Sequence, residues 1–217
     1  MIMTYKFEIF DFDGTIVDTG PGITNAVGHA LERLGLGRNT LEFRKRFVGP
    51  PLTGAFEEYC GIDHDSAVRA VEYFREYYVD RGIHEAEPYE GIPDAVRSLS
   101  ESGRILSVAS SKPMVFVEQL LERFGIRDCF SVVLGSGLDG SLTDKSEAVK
   151  LVVSKLGASS HDCVMVGDRR FDIIGAKTNG LFSVGVSYGY GSYEELEEAG
   201  ADRIVNSVEE LREFLLQ

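Results

Sequence analysis

Phe7-Glu-Ile-Phe-Asp-Phe-Asp-Gly-Thr-Ile-Val-Asp-Thr19 is the stretch around which this chain is organised. A short apolar run with aromatic and β-branched residues that closes on an Asp-Gly turn signal reads as a strand running into a loop. Side chains two apart on a strand share a face, so Asp11 and Asp13 are expected to project into one crevice at the strand's end. Two like charges held that close repel each other, and the simplest compensation is a divalent cation with hard oxygen ligands. Taken alone, Asp13-Gly14 would be no more than a solvated Asx turn.

Working outward, Gly20-Pro21-Gly22 breaks the chain, and Ile23, Val27, Leu31 and Leu34 follow at helical spacing, with Gly35 and Gly37 as stops. Residues 40–82 carry no strand pattern: 41–47, 52–59 and 66–81 read as helices around the turn Gly49-Pro50-Pro51. From Glu87 onward the pattern changes. Apolar strands are expected at 104–109, 131–134, 163–167, 182–186 and 203–205, alternating with helices that include 145–156, 169–179 and one from Ser207. Continuously apolar strands alternating with helices imply a parallel sheet covered on both faces. The expected fold is therefore α/β, a doubly wound parallel sheet. Residues 1–17 and 87–217 form its core, and 18–86 form an all-helical insertion.

The 217 residues suit one domain with a modest insertion, and a formal net charge of −13 argues against a nucleic-acid polymer, which demands a basic face. The N-terminal Met1-Ile-Met-Thr-Tyr-Lys-Phe7 has no long apolar run, and no stretch approaches a membrane span, so a cytoplasmic protein with no membrane partner is expected. Three cysteines without metal-ligand spacing read as reduced thiols, and the four scattered histidines offer no ligand pair. An acidic protein that binds an anion needs local devices. In a doubly wound sheet these lie just beyond the carboxyl ends of the strands. There the sequence has Ser110-Ser111-Lys112-Pro113, where Pro113 can open a helix; Lys145 at a helix start behind Asp144 and Glu147 in capping-box order; and Gly167-Asp168-Arg-Arg-Phe-Asp172.

With these in order, the chain resembles the haloacid-dehalogenase superfamily of phosphotransferases, whose first motif reads Asp-x-Asp-Gly-Thr-hydrophobic-x-Asp. The resemblance implies that Asp11 is the nucleophile and Asp13 the general acid and base. It also implies that Ser110 and the Ser111 amide hold a phosphoryl oxygen, and that Lys145 clamps nucleophile and phosphate. Mg²⁺ would be held by Asp11, the Asp13 carbonyl and Asp168, with Asp172 orienting the set. The family's frequent Lys-Pro is Lys145-Ser146 here. The insertion corresponds to the family's helical cap. Arg44-Lys45-Arg46-Phe47-Val48-Gly49-Pro50-Pro51 is similar to the cap of the phosphoglycolate phosphatase-like branch, and Gly167 to Gly191, ending Val-Ser-Tyr-Gly-Tyr-Gly, to a 5′-nucleotidase-like set within it.

The function so implied is Mg-dependent hydrolysis of a small phosphorylated metabolite, phosphoglycolate or a nucleoside 5′-monophosphate, by a monomer or weak dimer. Arg44, Lys45 and Arg46 could grip a substrate carboxylate, and Phe43, Phe47, Tyr73 or Tyr77 could stack on a base. A phosphosugar mutase would share all four motifs, and a non-catalytic phosphate-binding module could have lost Asp11 or Asp13.

Overall fold

A computed structural model describes residues 5–217. The expectations about the chain's start that concern residues 1–4 lie outside the described residues. The chain divides into two compact units, one running to Val17 and resuming over Pro88–Gln217, the other Asp18–Glu87.

In the first unit, β1 (Phe7–Phe10) leads to β2 (Val17–Asp18), and the chain returns from the second unit through β3 (Glu87–Pro88), which pairs with β2. The helices of the second unit are α1 (Gly20–Arg33), α2 (Leu41–Lys45), α3 (Leu52–Cys60) and α4 (His64–Asp80). It is a helical insertion between β1 and the rest of the sheet. Its α1 passes close to the turn that follows α4: a Cβ on Gly22 would lie 2.0 Å from the Gly82 carbonyl oxygen, which explains glycine there.

The first unit then alternates α5 (Ile92–Glu101), β4 (Ile105–Pro113), α6 (Met114–Arg123), β5 (Phe130–Ser136), α7 (Lys145–Leu156), β6 (Cys163–Gly167), α8 (Arg170–Thr178), β7 (Phe182–Val186), α9 (Tyr193–Glu198), β8 (Arg203–Val205) and α10 (Val208–Leu215). The six long-range strands form one parallel sheet in the order β5-β4-β1-β6-β7-β8. Phe10 of the central β1 is in register with Val108 on one side and Val166 on the other. Ile9 and Met165 pack with Val149 and Val152 of α7 and Ala176 of α8, so one face of the sheet is closed by these two helices.

Several elements differ from the sequence reading, among them the two-residue β2 and β3, which it does not anticipate. β4 runs on through Ser-Ser-Lys to Pro113 instead of ending at Ala109, because its pairing with β5 shifts register between Ala109 and Pro113 and resumes at Pro113 opposite Ser136. Pro113 then serves as the N-cap residue of α6. The helix α9 carries no expectation at all: only Leu196 of its six residues is buried, too little for a periodic stripe. All three cysteines are free thiols, and no helix among the described residues is long and apolar enough to cross a membrane.

Candidate active site

The strand order reverses around β1, and the chain leaves the sheet there with Asp11, whose N–H donates to the Val166 carbonyl at 2.8 Å. It then folds back sharply. The Phe12 carbonyl accepts from the N–H groups of Ile16 (3.0 Å) and Val17 (3.1 Å), and Gly14 takes the left-handed φ of +86° that the turn requires. Asp11 and Asp13 flank the start of this turn, and each carboxylate meets a lysine of its own.

Lys145, the first residue of α7, is buried with its Nζ 2.6 Å from Asp11 Oδ1, 3.0 Å from Asp172 Oδ1 and 3.0 Å from the Ala109 carbonyl. The ammonium donates to Asp11 and to the Ala109 carbonyl and is ion-paired with Asp172. The helix start is fixed by Asp144, whose side chain accepts from the Glu147 N–H at 2.9 Å. On the other side, Asp168 leaves β6 fully buried, and Asp172 in the first turn of α8 accepts the Arg169 N–H at 3.0 Å. Gly167 makes room for this arrangement, since a Cβ there would fall 2.2 Å from Asp172. Asp11, Asp168 and Asp172 each bring a carboxylate oxygen within 4.8 Å of the others.

Burial dominates the electrostatics. It pushes the Asp11 carboxyl up to about 7 even though Lys145 pulls it down, with Asp172 adding to the rise. Asp168 is raised well above the carboxylate range by burial, then by Asp172 and Asp11, although the Tyr190 N–H works against the shift. Burial lowers Lys145, but the attraction of Asp11 and Asp172 outweighs it and holds the ammonium above its ordinary value.

Asp13 pairs with Lys112, whose Nζ lies 3.1 Å from its Oδ1 and 3.4 Å from its Oδ2. The side chain of Lys112 is 4 % exposed, and the sequence reading gave it no role. Its signal was present in the polar Ser-Ser-Lys-Pro run at a strand end. Ser110 is buried and its Oγ accepts the Lys112 N–H at 3.2 Å, while the Ser111 hydroxyl donates to the Thr143 carbonyl at 3.0 Å.

In the helical insertion the basic cluster is largely occupied. Arg44 donates to the Thr24 carbonyl at 3.1 Å, and its guanidinium covers Gly28, where a Cβ would lie 2.4 Å from it. Arg46 stacks over Tyr59 at 4.1 Å, and the exposed Lys45 faces Glu42 at 3.6 Å. Of the aromatic residues considered for base stacking, Phe47 is buried beside Phe56, Tyr73 lies under Arg33, and Tyr77 donates to Glu85 at 2.8 Å.

Three buried carboxylates are gathered around one ammonium. That is a donor set suited to a hard divalent cation.

The family model for haloacid dehalogenase-like hydrolases matches residues 8–186. A 5′-nucleotidase of Pseudomonas aeruginosa is 38% identical over 194 residues, covering 89% of this chain and 88% of the relative. A phosphoglycolate phosphatase of Vibrio parahaemolyticus is 27% identical over 97% of this chain and 96% of its own. Among solved structures, a predicted phosphatase from Clostridium acetobutylicum superposes with a TM-score of 0.94 at 43% identity, covering 98% of this chain and 99% of that one.

Proposed function

The chain belongs to the haloacid dehalogenase-like hydrolases and is a phosphatase of that family, and from this premise we propose that it hydrolyses a small phosphomonoester through an aspartyl phosphate on Asp11. A carboxylate oxygen of Asp11 attacks phosphorus in line, and the ester oxygen leaves with a proton from Asp13. Asp13 then takes a proton from the water that releases phosphate and regenerates Asp11. Ser110 and the Ser111 amide bind a phosphoryl oxygen, and Lys145 offsets the charge of nucleophile and phosphate together.

The observation that carries this reading is the position of Lys145, whose Nζ touches Asp11 while held by Asp172 and the Ala109 carbonyl. It keeps the nucleophile beside a fixed positive charge before any substrate arrives. Asp11, the Asp13 carbonyl and Asp168 would hold Mg²⁺. Asp172, which is ion-paired with Lys145 through one oxygen and accepts from the Arg169 N–H through the other, orients the set. When bound, the ion compensates phosphate charge in the transition state.

The 5′-nucleotidase relative favours nucleoside 5′-monophosphates as the first substrates to try, and phosphoglycolate follows from the second relative. The helical insertion carries no phosphate motif, and we assign leaving-group discrimination to it. Phosphate release from nucleoside 5′-monophosphates, phosphoglycolate, sugar phosphates and pyrophosphate, each with Mg²⁺ or EDTA, tests the proposal. Mg-dependent release from a monoester is expected. A requirement for a bisphosphate activator with no net phosphate release would instead identify a mutase.

A further inference from the structure

The segment Tyr188-Gly-Tyr-Gly191, just past β7, has no part in the chemistry above, yet it wraps the most buried carboxylate of the site. The Tyr190 N–H donates to Asp168 Oδ2 at 2.8 Å, and Thr15 Oγ1 reaches Asp168 Oδ1 at 3.4 Å. The Tyr188 hydroxyl donates to the Thr15 carbonyl at 3.0 Å, and its ring packs edge-on against Tyr89 with centroids 5.1 Å apart. Asp168 is thus held between two loops, and Tyr188 ties those loops to each other.

The glycines report how close the approach is. A Cβ on Gly189 would lie 2.3 Å from the Gly14 carbonyl oxygen and 2.4 Å from Asp168 Cβ, and one on Gly191 would lie 1.9 Å from the Asp168 carbonyl oxygen. From the other side, a Cβ on Gly14 would lie 2.2 Å from Asp168 Oδ2. No side chain fits between the loops. The strap is also anchored at both ends, by the Ser187 N–H on the Val205 carbonyl at 3.0 Å and by Glu195, which accepts from Arg169 Nε at 2.9 Å and the Arg170 N–H at 3.0 Å.

We propose that Tyr188–Gly191 is a positioning strap that fixes Asp168 against the Gly14-Thr15 turn and thereby sets the affinity of the acidic triad for a divalent cation. The proposal rests on the metal-site reading above. Tyr188 and Gly189 are positioning residues: neither offers the cation a side-chain ligand, and both act through Asp168 and the Asp11–Thr15 turn. A carboxylate already aimed by two donors loses less freedom when it becomes a ligand, which is why partners behind a ligand raise affinity.

The test is Mg²⁺ titration by calorimetry of the wild-type protein, Tyr188→Phe and Gly189→Ala, with the melting temperature of each also measured in EDTA. Loss of the Tyr188 hydrogen bond should raise the Mg²⁺ dissociation constant roughly three- to tenfold while leaving the melting temperature in EDTA near wild type. Gly189→Ala should raise it further. A Tyr188→Phe protein that binds Mg²⁺ as tightly as wild type overturns the strap, whatever its melting temperature and whether or not Gly189→Ala folds. A wild-type protein that binds no Mg²⁺ removes the metal reading, and the strap with it.

Discussion

At the scale of single residues, the site is a buried charge cluster whose chemistry and stability pull in opposite directions. Asp11→Asn removes a nucleophile that burial pushes up to about 7, so turnover should vanish while the fold in EDTA is at least as stable as wild type. Phosphatase activity near the wild-type level in that variant would remove Asp11 from its role. Lys145→Met does the reverse. It strips the cation from Asp11 and Asp172 and leaves buried carboxylates uncompensated, at a cost of roughly 3–5 kcal/mol. Urea unfolding in EDTA and in saturating Mg²⁺ measures this, and the loss should shrink with the cation present. A loss under about 1 kcal/mol in EDTA would mean that the lysine does not compensate the cluster. Asp11, Lys145, Asp168 and Asp172, which lie together in the structure, stood out in the sequence because each sits at a strand end or helix start in a motif. Lys112 did not, because an isolated lysine reads as solvated until Asp13 is seen 3.1 Å away.

At the scale of elements, β6, β7, β8 and α7 fall where periodicity and turn signals place them, since continuous apolar runs bounded by glycine and polar residues leave little choice of frame. The end of β4 was illegible because backbone pairing with β5, not composition, carries Ser110 to Pro113 as strand. β1 also holds a group that local pattern conceals. Glu8 is fully buried in the central strand, its carboxylate oxygens have no hydrogen-bond partner, and Arg104 Nε comes no nearer than 3.8 Å. Burial raises its carboxyl from 4.5 to about 8, with Arg104 acting against the shift. A folded-state value above the unfolded one means that Glu8 favours the fold fully below about pH 4.5, and that this is lost as pH climbs through about 8. The displacement corresponds to roughly 5 kcal/mol at its limit. Glu8→Gln should therefore flatten the fall in stability between pH 5.5 and 8.5, read by urea unfolding at both. Parallel curves for the two proteins would show that Glu8 does not titrate there. In the insertion, Arg44 joins α2 to α1 through the Thr24 carbonyl. Arg44→Met should cost about 1.5–3 kcal/mol of stability, with kcat/KM little changed for a monoester lacking a second anionic group. A selective loss against a carboxylate-bearing substrate at wild-type stability would instead make Arg44 a substrate contact.

At the scale of the whole molecule, the chain carries a net charge of −13, so an anion must be met by positive groups placed locally. Lys145 and Lys112 stand within hydrogen-bonding distance of the carboxylates they serve. Every strand of the parallel sheet, and every residue assigned to chemistry at phosphorus, lies in the unit that ends at Val17 and resumes at Pro88. The insertion enters and leaves through β2 and β3, which pair with each other, so the two cut ends are neighbours and a short linker can span them. Replacing Asp18–Glu87 by a few Gly and Ser residues joined to Val17 and Pro88 should therefore leave a folded core that still binds Mg²⁺. The sheet and the acidic triad keep all their intra-unit partners, and closing a short loop costs little entropy. Hydrolysis of an activated ester such as nitrophenyl phosphate should persist at a reduced rate. The kcat/KM ratios among nucleoside 5′-monophosphates, phosphoglycolate and sugar phosphates should collapse toward one another, because discrimination is assigned to the deleted helices. Calorimetric Mg²⁺ titration of the shortened protein reads the first expectation and the substrate panel reads the second. A core that folds and binds Mg²⁺ yet keeps the wild-type order of substrates would move specificity into the sheet unit, to the loops around Ser111, Arg170 and Tyr190.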